Sequence, residues 1–133
     1  MTEYGFSATI EPRYRDIDTY EHVNHAVHVT YMEEARMRFF RDVVGQLRID
    51  TVIANLEVDY ERPIRLPDTV EVGVGVAEVG ETSLTLAYDI RADGEPAASG
   101  RTTQVIVDED GRPTPLPGDW RDALEAHRID AAE

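Results

Sequence analysis

A chain of 133 residues with 41% apolar content carries enough material for one hydrophobic core, and is read as a single domain over residues 1–133. It has no cysteine, which excludes disulfides, thiolate metal sites and a Cys nucleophile, and all 13 basic residues are arginine, which excludes Schiff-base lysine chemistry. Its 27 acidic residues give a formal charge of -14, a field that disfavours nucleic acid and anionic membranes as partners. The acidity fits either a salt-rich milieu or an arginine-favouring codon usage. The opening stretch MTEYGFSATIEPRYR has no basic segment followed by an apolar run, and no stretch reaches membrane-spanning length, so the expectation is a soluble cytoplasmic protein.

In chain order, Ser7 to Arg15 reads as a short strand, and Asp16 to Val23 as a polar loop. From Asn24 the period becomes helical: Val29, Met32, Ala35, Phe39 and Val43 step by three or four, Phe40 widens the stripe, and Gly45 is placed to end the helix. About six turns result. Met32, Phe39 and Phe40 are read as core, and the paired Glu33 and Glu34 as a solvated face. Arg36 falls within the apolar arc, where a buried guanidinium needs a carboxylate, and Asp16 is the expected partner.

Beyond Gly45 the period drops to two. Leu56, Val58 and Tyr60 mark a strand with one solvated face, as do Val70 to Val76; Leu84 to Ile90 makes a third strand, and a last one runs from about Ala97 to Val107. Val79-Gly80-Glu81 and Asp93-Gly94 are the turns between them. A proline-rich exit, Gly111 to Gly118, leads to a short helix, Trp120 to His127. The prediction is a two-layer α+β domain, one long helix against a five-stranded antiparallel sheet. An open sheet leaves an edge that needs cover, which pairing with a second copy would supply.

The segment Arg15 to Arg36, RDIDTYEHVNHAVHVTYMEEAR, crowds polar side chains just ahead of a helix start. Free N–H groups and the positive end of the dipole favour an oxyanion there, and a carboxylate upstream can fold back as general base or nucleophile. Capping is the competing reading for Asn24 and the aspartates, and His22 alternatively serves as an ordinary loop residue.

Asp-x-Asp-x-x-x-His-Val-Asn-His, leading into Tyr-Met-Glu-Glu-Ala-Arg, resembles the signature of hotdog-fold acyl-CoA thioesterases of the 4-hydroxybenzoyl-CoA thioesterase family. VDYERPIRLPDTVEV is similar to that family's Tyr-x-Arg-Pro strand and turn, and SGRTTQVIVDEDGRPTPLP to its last strand and exit. The resemblance implies a hotdog fold and hydrolysis of an acyl-CoA thioester, with no metal and no cofactor beyond the coenzyme A of the substrate. It implies Asp18 as the catalytic carboxylate, acting as base or nucleophile, and the His25 backbone N–H as the group that polarises the thioester carbonyl. The imidazoles of His22 and His25 match family histidines able to orient water. Asn24 is read as capping the helix and positioning the loop, Tyr20 as lining the acyl pocket, and Arg62 and Arg65 as meeting coenzyme A phosphates, with surface ion pairing the competing reading for two of 13 arginines among 27 carboxylates. Many members have Gly where Glu21 stands. The resemblance also implies a homodimer or homotetramer with the site at a subunit interface. A non-catalytic acyl-CoA-binding hotdog protein is the alternative.

Overall fold

Pro12 cannot donate to a sheet ladder, and the first strand stops short of it. The computed structural model describes residues 4–46 and 50–129, and in it β1 covers Phe6–Ile10, followed by one 3-10 turn at Tyr14–Asp16. The strand is therefore shorter than Ser7 to Arg15. Helix α1 covers Val27–Phe39 and runs on as a π turn, Phe40–Val44. Gly45 ends it at φ 82°, the left-handed conformation that only glycine adopts freely. Then come β2 (Thr51–Tyr60), β3 (Val70–Val79), β4 (Ser83–Ala92), β5 (Glu95–Ile106) and α2 (Gly118–Glu125).

The strands form one antiparallel sheet in the order β1-β3-β4-β5-β2. The β4–β5 hairpin turns on Asp93 and Gly94, both at positive φ (50° and 83°), the geometry that a two-residue turn needs to match strand twist. Met32, Ala35 and Phe39 of α1 join the core with Val70, Val72, Val74 and Val76 of β3 and Leu84, Leu86, Tyr88 and Ile90 of β4. Phe39 is fully buried, with Phe6 edge-on at 5.5 Å. At Gly100 of β5 an added Cβ would lie 2.7 Å from Met32 Cε and 3.2 Å from the Glu57 carbonyl oxygen, so the missing side chain lets the helix approach the sheet.

Three expectations change. The buried face of α1 is His28, Tyr31, Met32, Ala35 and Phe39, with Val29 only half-buried, so the stripe begins on a histidine. β2 is an edge strand open on both faces, with Val52, Ile53, Leu56 and Tyr60 all exposed; β3 is buried on both faces from Val72 to Ala77, where Tyr4 and Ile129 lie over Gly75. Arg36 does not pair with Asp16. Tyr31 takes that carboxylate, its hydroxyl donating to Oδ2 at 2.6 Å, while Arg36 donates to the Tyr88 hydroxyl at 3.2 Å and lies 3.9 Å from Glu33. Tyr31 and Arg36 are five residues apart, about 140° around a helix, so they cannot serve one partner.

Candidate functional site

Asp18 sits in a tight hairpin between Ile17 and Val23, which form an antiparallel bridge. The Asp18 N–H donates to the His22 carbonyl at 2.9 Å, and the Glu21 N–H to the Asp18 carbonyl at 3.0 Å. Glu21 lies at φ 63°, a left-handed position where a side chain costs about 1 kcal/mol and glycine costs little. The Asn24 N–H donates to the Asp16 carbonyl (2.9 Å) and closes the base of the hairpin, and the Val23 N–H donates to the Ile64 carbonyl (2.7 Å) and ties it to the segment between β2 and β3.

The Asp18 carboxylate is half-buried and accepts on Oδ1 from the Tyr20 N–H at 2.9 Å, with the His22 N–H more distant at 3.5 Å. It lines an open cleft of about 630 Å³ with Tyr14, Arg15, Thr19, Glu21, Arg65 and Leu66 among its walls. Arg65 comes from the β2–β3 connection, where Asp68 Oδ2 accepts its backbone N–H at 2.9 Å and fixes the turn. Two carboxylates, Asp18 and Glu21, and two arginines, Arg15 and Arg65, line the same cleft, which suits a reaction that needs both a base and an anion-binding group.

The start of α1 forms a second cluster. Asn24 Oδ1 accepts from the Ala26 N–H at 2.9 Å, so it caps a turn one step ahead of the helix proper. No acceptor among the described residues takes the His25 N–H. His25 is exposed, and its carbonyl accepts from the Tyr60 hydroxyl at 2.7 Å. His28 is 3% exposed, with Nδ1 3.3 Å from the Asn24 carbonyl oxygen and its ring edge-on to Tyr60 at 4.9 Å. Burial lowers the His28 pKa against the opposing pull of the Asn24 and His25 carbonyls. Burial, with the Asp16 carboxylate beside it, pushes the Tyr31 hydroxyl far above its usual value, so it stays a donor.

Asp18 and Arg65 therefore share a cleft, while Asn24, His25, His28 and Tyr60 gather at the helix start. Among the described residues, no hydrogen bond joins the Asp18 carboxylate to the side chains of His22, His25 or Asn24. His22 is half-buried, and its backbone N–H, not its ring, approaches the carboxylate. Tyr20 stands outward at 79% exposure and is not among the residues lining the Asp18 cleft. Arg62 lies 3.6 Å from Glu95 beside a neighbouring hollow of about 330 Å³ that Arg65 also borders. His28 and Tyr60 carry no role in the sequence reading. A helical stripe begun one residue earlier, at 28, 31, 32 and 35, finds the histidine.

A family model for the thioesterase-like superfamily matches residues 12–124. The chain belongs to the thioesterase-like superfamily. Membership makes it a thioester hydrolase by family, and its sheet and helix are the hotdog fold. A thioesterase from Thermus thermophilus, solved with coenzyme A and zinc, is similar at 37% identity and TM-score 0.86, covering 100% of this chain and 98% of that one. A DHNA-CoA thioesterase from Staphylococcus aureus is similar at 25% identity and TM-score 0.82, covering 90% and 88%. The long-chain acyl-CoA thioesterase FadM of Escherichia coli is 26% identical over 124 residues, which is 87% of this thioesterase-like chain and 94% of FadM. Among the described residues of this thioesterase-like chain, no cluster of three or more His, Asp and Glu side chains is gathered for a metal ion, and no helix is long and apolar enough to cross a membrane.

Proposed function

We propose that the protein hydrolyses an acyl or aroyl coenzyme A thioester to the free acid and coenzyme A. The observation that carries this reading is the Asp18 carboxylate, held by the Tyr20 N–H at the wall of a cleft that also contains Arg65. As general base, Asp18 takes a proton from water as its oxygen attacks the thioester carbon; the C–S bond breaks and the coenzyme A thiolate leaves and is protonated. As nucleophile, Asp18 forms a mixed anhydride with loss of the thiolate, and water then hydrolyses it. In either course the carbonyl oxygen gains charge facing the His25 N–H, which has no partner among the described residues to give up. His22, whose backbone N–H lies 3.5 Å from Asp18 Oδ1, is proposed to orient the water. Arg65 meets the phosphates of coenzyme A, and the coenzyme A bound by the Thermus thermophilus relative supports that class of substrate.

The active form in this reading is a homodimer, or a tetramer of dimers. β2 lies at the sheet edge with apolar side chains exposed on both faces, and pairing with a second copy would cover them. Free-thiol release from a panel of coenzyme A thioesters tests the activity. Turnover lost in Asp18→Asn supports the reading, and full turnover in that variant contradicts it.

A further inference from the structure

Two side chains outside the Asp18 cleft converge on the backbone at His25. A trans peptide holds its carbonyl and its N–H in one rigid plane, pointing in opposite directions, so whatever grips the Asn24 carbonyl also aims the His25 N–H. Two donors hold that carbonyl: the Val27 N–H at 2.9 Å and His28 Nδ1 at 3.3 Å. The Tyr60 hydroxyl holds the next carbonyl, that of His25, at 2.7 Å. Tyr60 is itself braced, its ring edge-on to His28 at 4.9 Å and to His25 at 6.4 Å.

The chemistry of His28 fits this grip. A carbonyl oxygen only accepts, so the ring proton sits on Nδ1 and Nε2 keeps a lone pair. Nε2 is buried and has no partner among the described residues. A neutral ring leaves only a weakly costly acceptor unpaired, whereas an imidazolium would leave an ionised N–H unpaired in the interior. Hydrogen bonds to a carbonyl also strengthen the N–H of the same peptide as a donor.

We propose that His28 and Tyr60 are positioning residues: His28 grips the Asn24 carbonyl and so aims and polarises the His25 N–H toward the thioester oxygen, while Tyr60 pins the next peptide through the His25 carbonyl and holds the His25 backbone in place. The inference rests on the role given to that N–H under the proposed function. It gives the buried histidine at the head of α1 and the tyrosine on the edge strand one task in the same reaction.

The test compares His28→Phe and Tyr60→Phe, which keep the rings and remove the donors, with His28→Asn, whose amide N–H replaces Nδ1. Each Phe variant should lower kcat about 10-fold, less than the roughly 100-fold cost of losing an oxyanion donor outright, with KM within about two-fold. His28→Asn should recover most of the rate. In the free protein, the amide 15N resonance of His25 should shift in both Phe variants and return in His28→Asn. Tyr60→Phe keeps its ring on an exposed strand, so the test survives if His28→Phe does not fold. Wild-type kcat in Tyr60→Phe, or an unmoved His25 amide, would overturn the inference. Full activity in Asp18→Asn would instead overturn the proposed function, and the amide resonance still decides the present point.

Discussion

Replacing Tyr88 by Phe removes one oxygen from a fully buried side chain and leaves the ring, so no cavity opens. That oxygen is the middle of a polar chain. Arg36 donates to it at 3.2 Å, it lies 2.8 Å from Thr102 Oγ1, and Thr102 donates to Gln104 Oε1 at 2.8 Å. Thr102 has a single hydroxyl proton, already given to Gln104, so Tyr88 must donate to Thr102 and accept from Arg36. Burial raises the Tyr88 pKa against the lowering pull of Arg36, which keeps that donor proton in place. A neutral bond contributes about 0.5–1.5 kcal/mol and one to a charged group about 1.5–3 kcal/mol. The Arg36 bond is long and its side chain is 14% exposed, which places the loss toward the lower end, about 2–3 kcal/mol in total. For a domain of this size, that lowers Tm by about 8–12 °C. Thermal unfolding at fixed protein concentration measures it. A shift below about 2 °C would refute the reasoning, because the polar chain would then add nothing that water or a repacked ring does not replace.

His28 also predicts a pH dependence of stability. Its folded pKa lies below the usual 6.5, so on acidification the unfolded chain takes the proton first; the stabilisation is full above 6.5 and is lost as pH falls through the folded value. Between about pH 7.5 and about pH 5, wild-type Tm should fall further than that of His28→Phe, and parallel curves would contradict this. Arg65→Ala should raise KM for coenzyme A thioesters several-fold and leave kcat within about two-fold, as steady-state kinetics would show. Leu56→Arg on the exposed edge strand should weaken self-association in sedimentation velocity without lowering helix content; an unchanged assembly would place the interface elsewhere.

Local signals were legible where one residue's backbone preference decides the outcome. Gly45 ends the helix and Asp93-Gly94 turns the hairpin because positive φ selects those residues. The period of two located β3, β4 and β5, but not which of their faces meet neighbours. Exposure along β2 and double-sided burial of β3 depend on sheet order, which alternation does not carry. The Asp16–Arg36 pairing failed because Tyr31, nearer in the fold, offers the carboxylate a shorter bond, and because Arg36 faces the sheet. Asp18 was visible through its motif and the helix start that follows. A polar residue breaks an apolar count, which hides His28 in the sequence although it is among the most buried side chains of α1.

The most direct measurement of the central claim is the rate of thiol release from acetyl, medium-chain, long-chain and aromatic coenzyme A thioesters by wild type and Asp18→Asn. With no cysteine, the protein adds no thiol background. The account predicts turnover of at least one thioester by wild type and a loss of at least about 100-fold in kcat for the variant, which keeps the shape of the carboxylate but not its basicity. Tight binding of acyl coenzyme A by both proteins without turnover, or equal turnover by both, would contradict it.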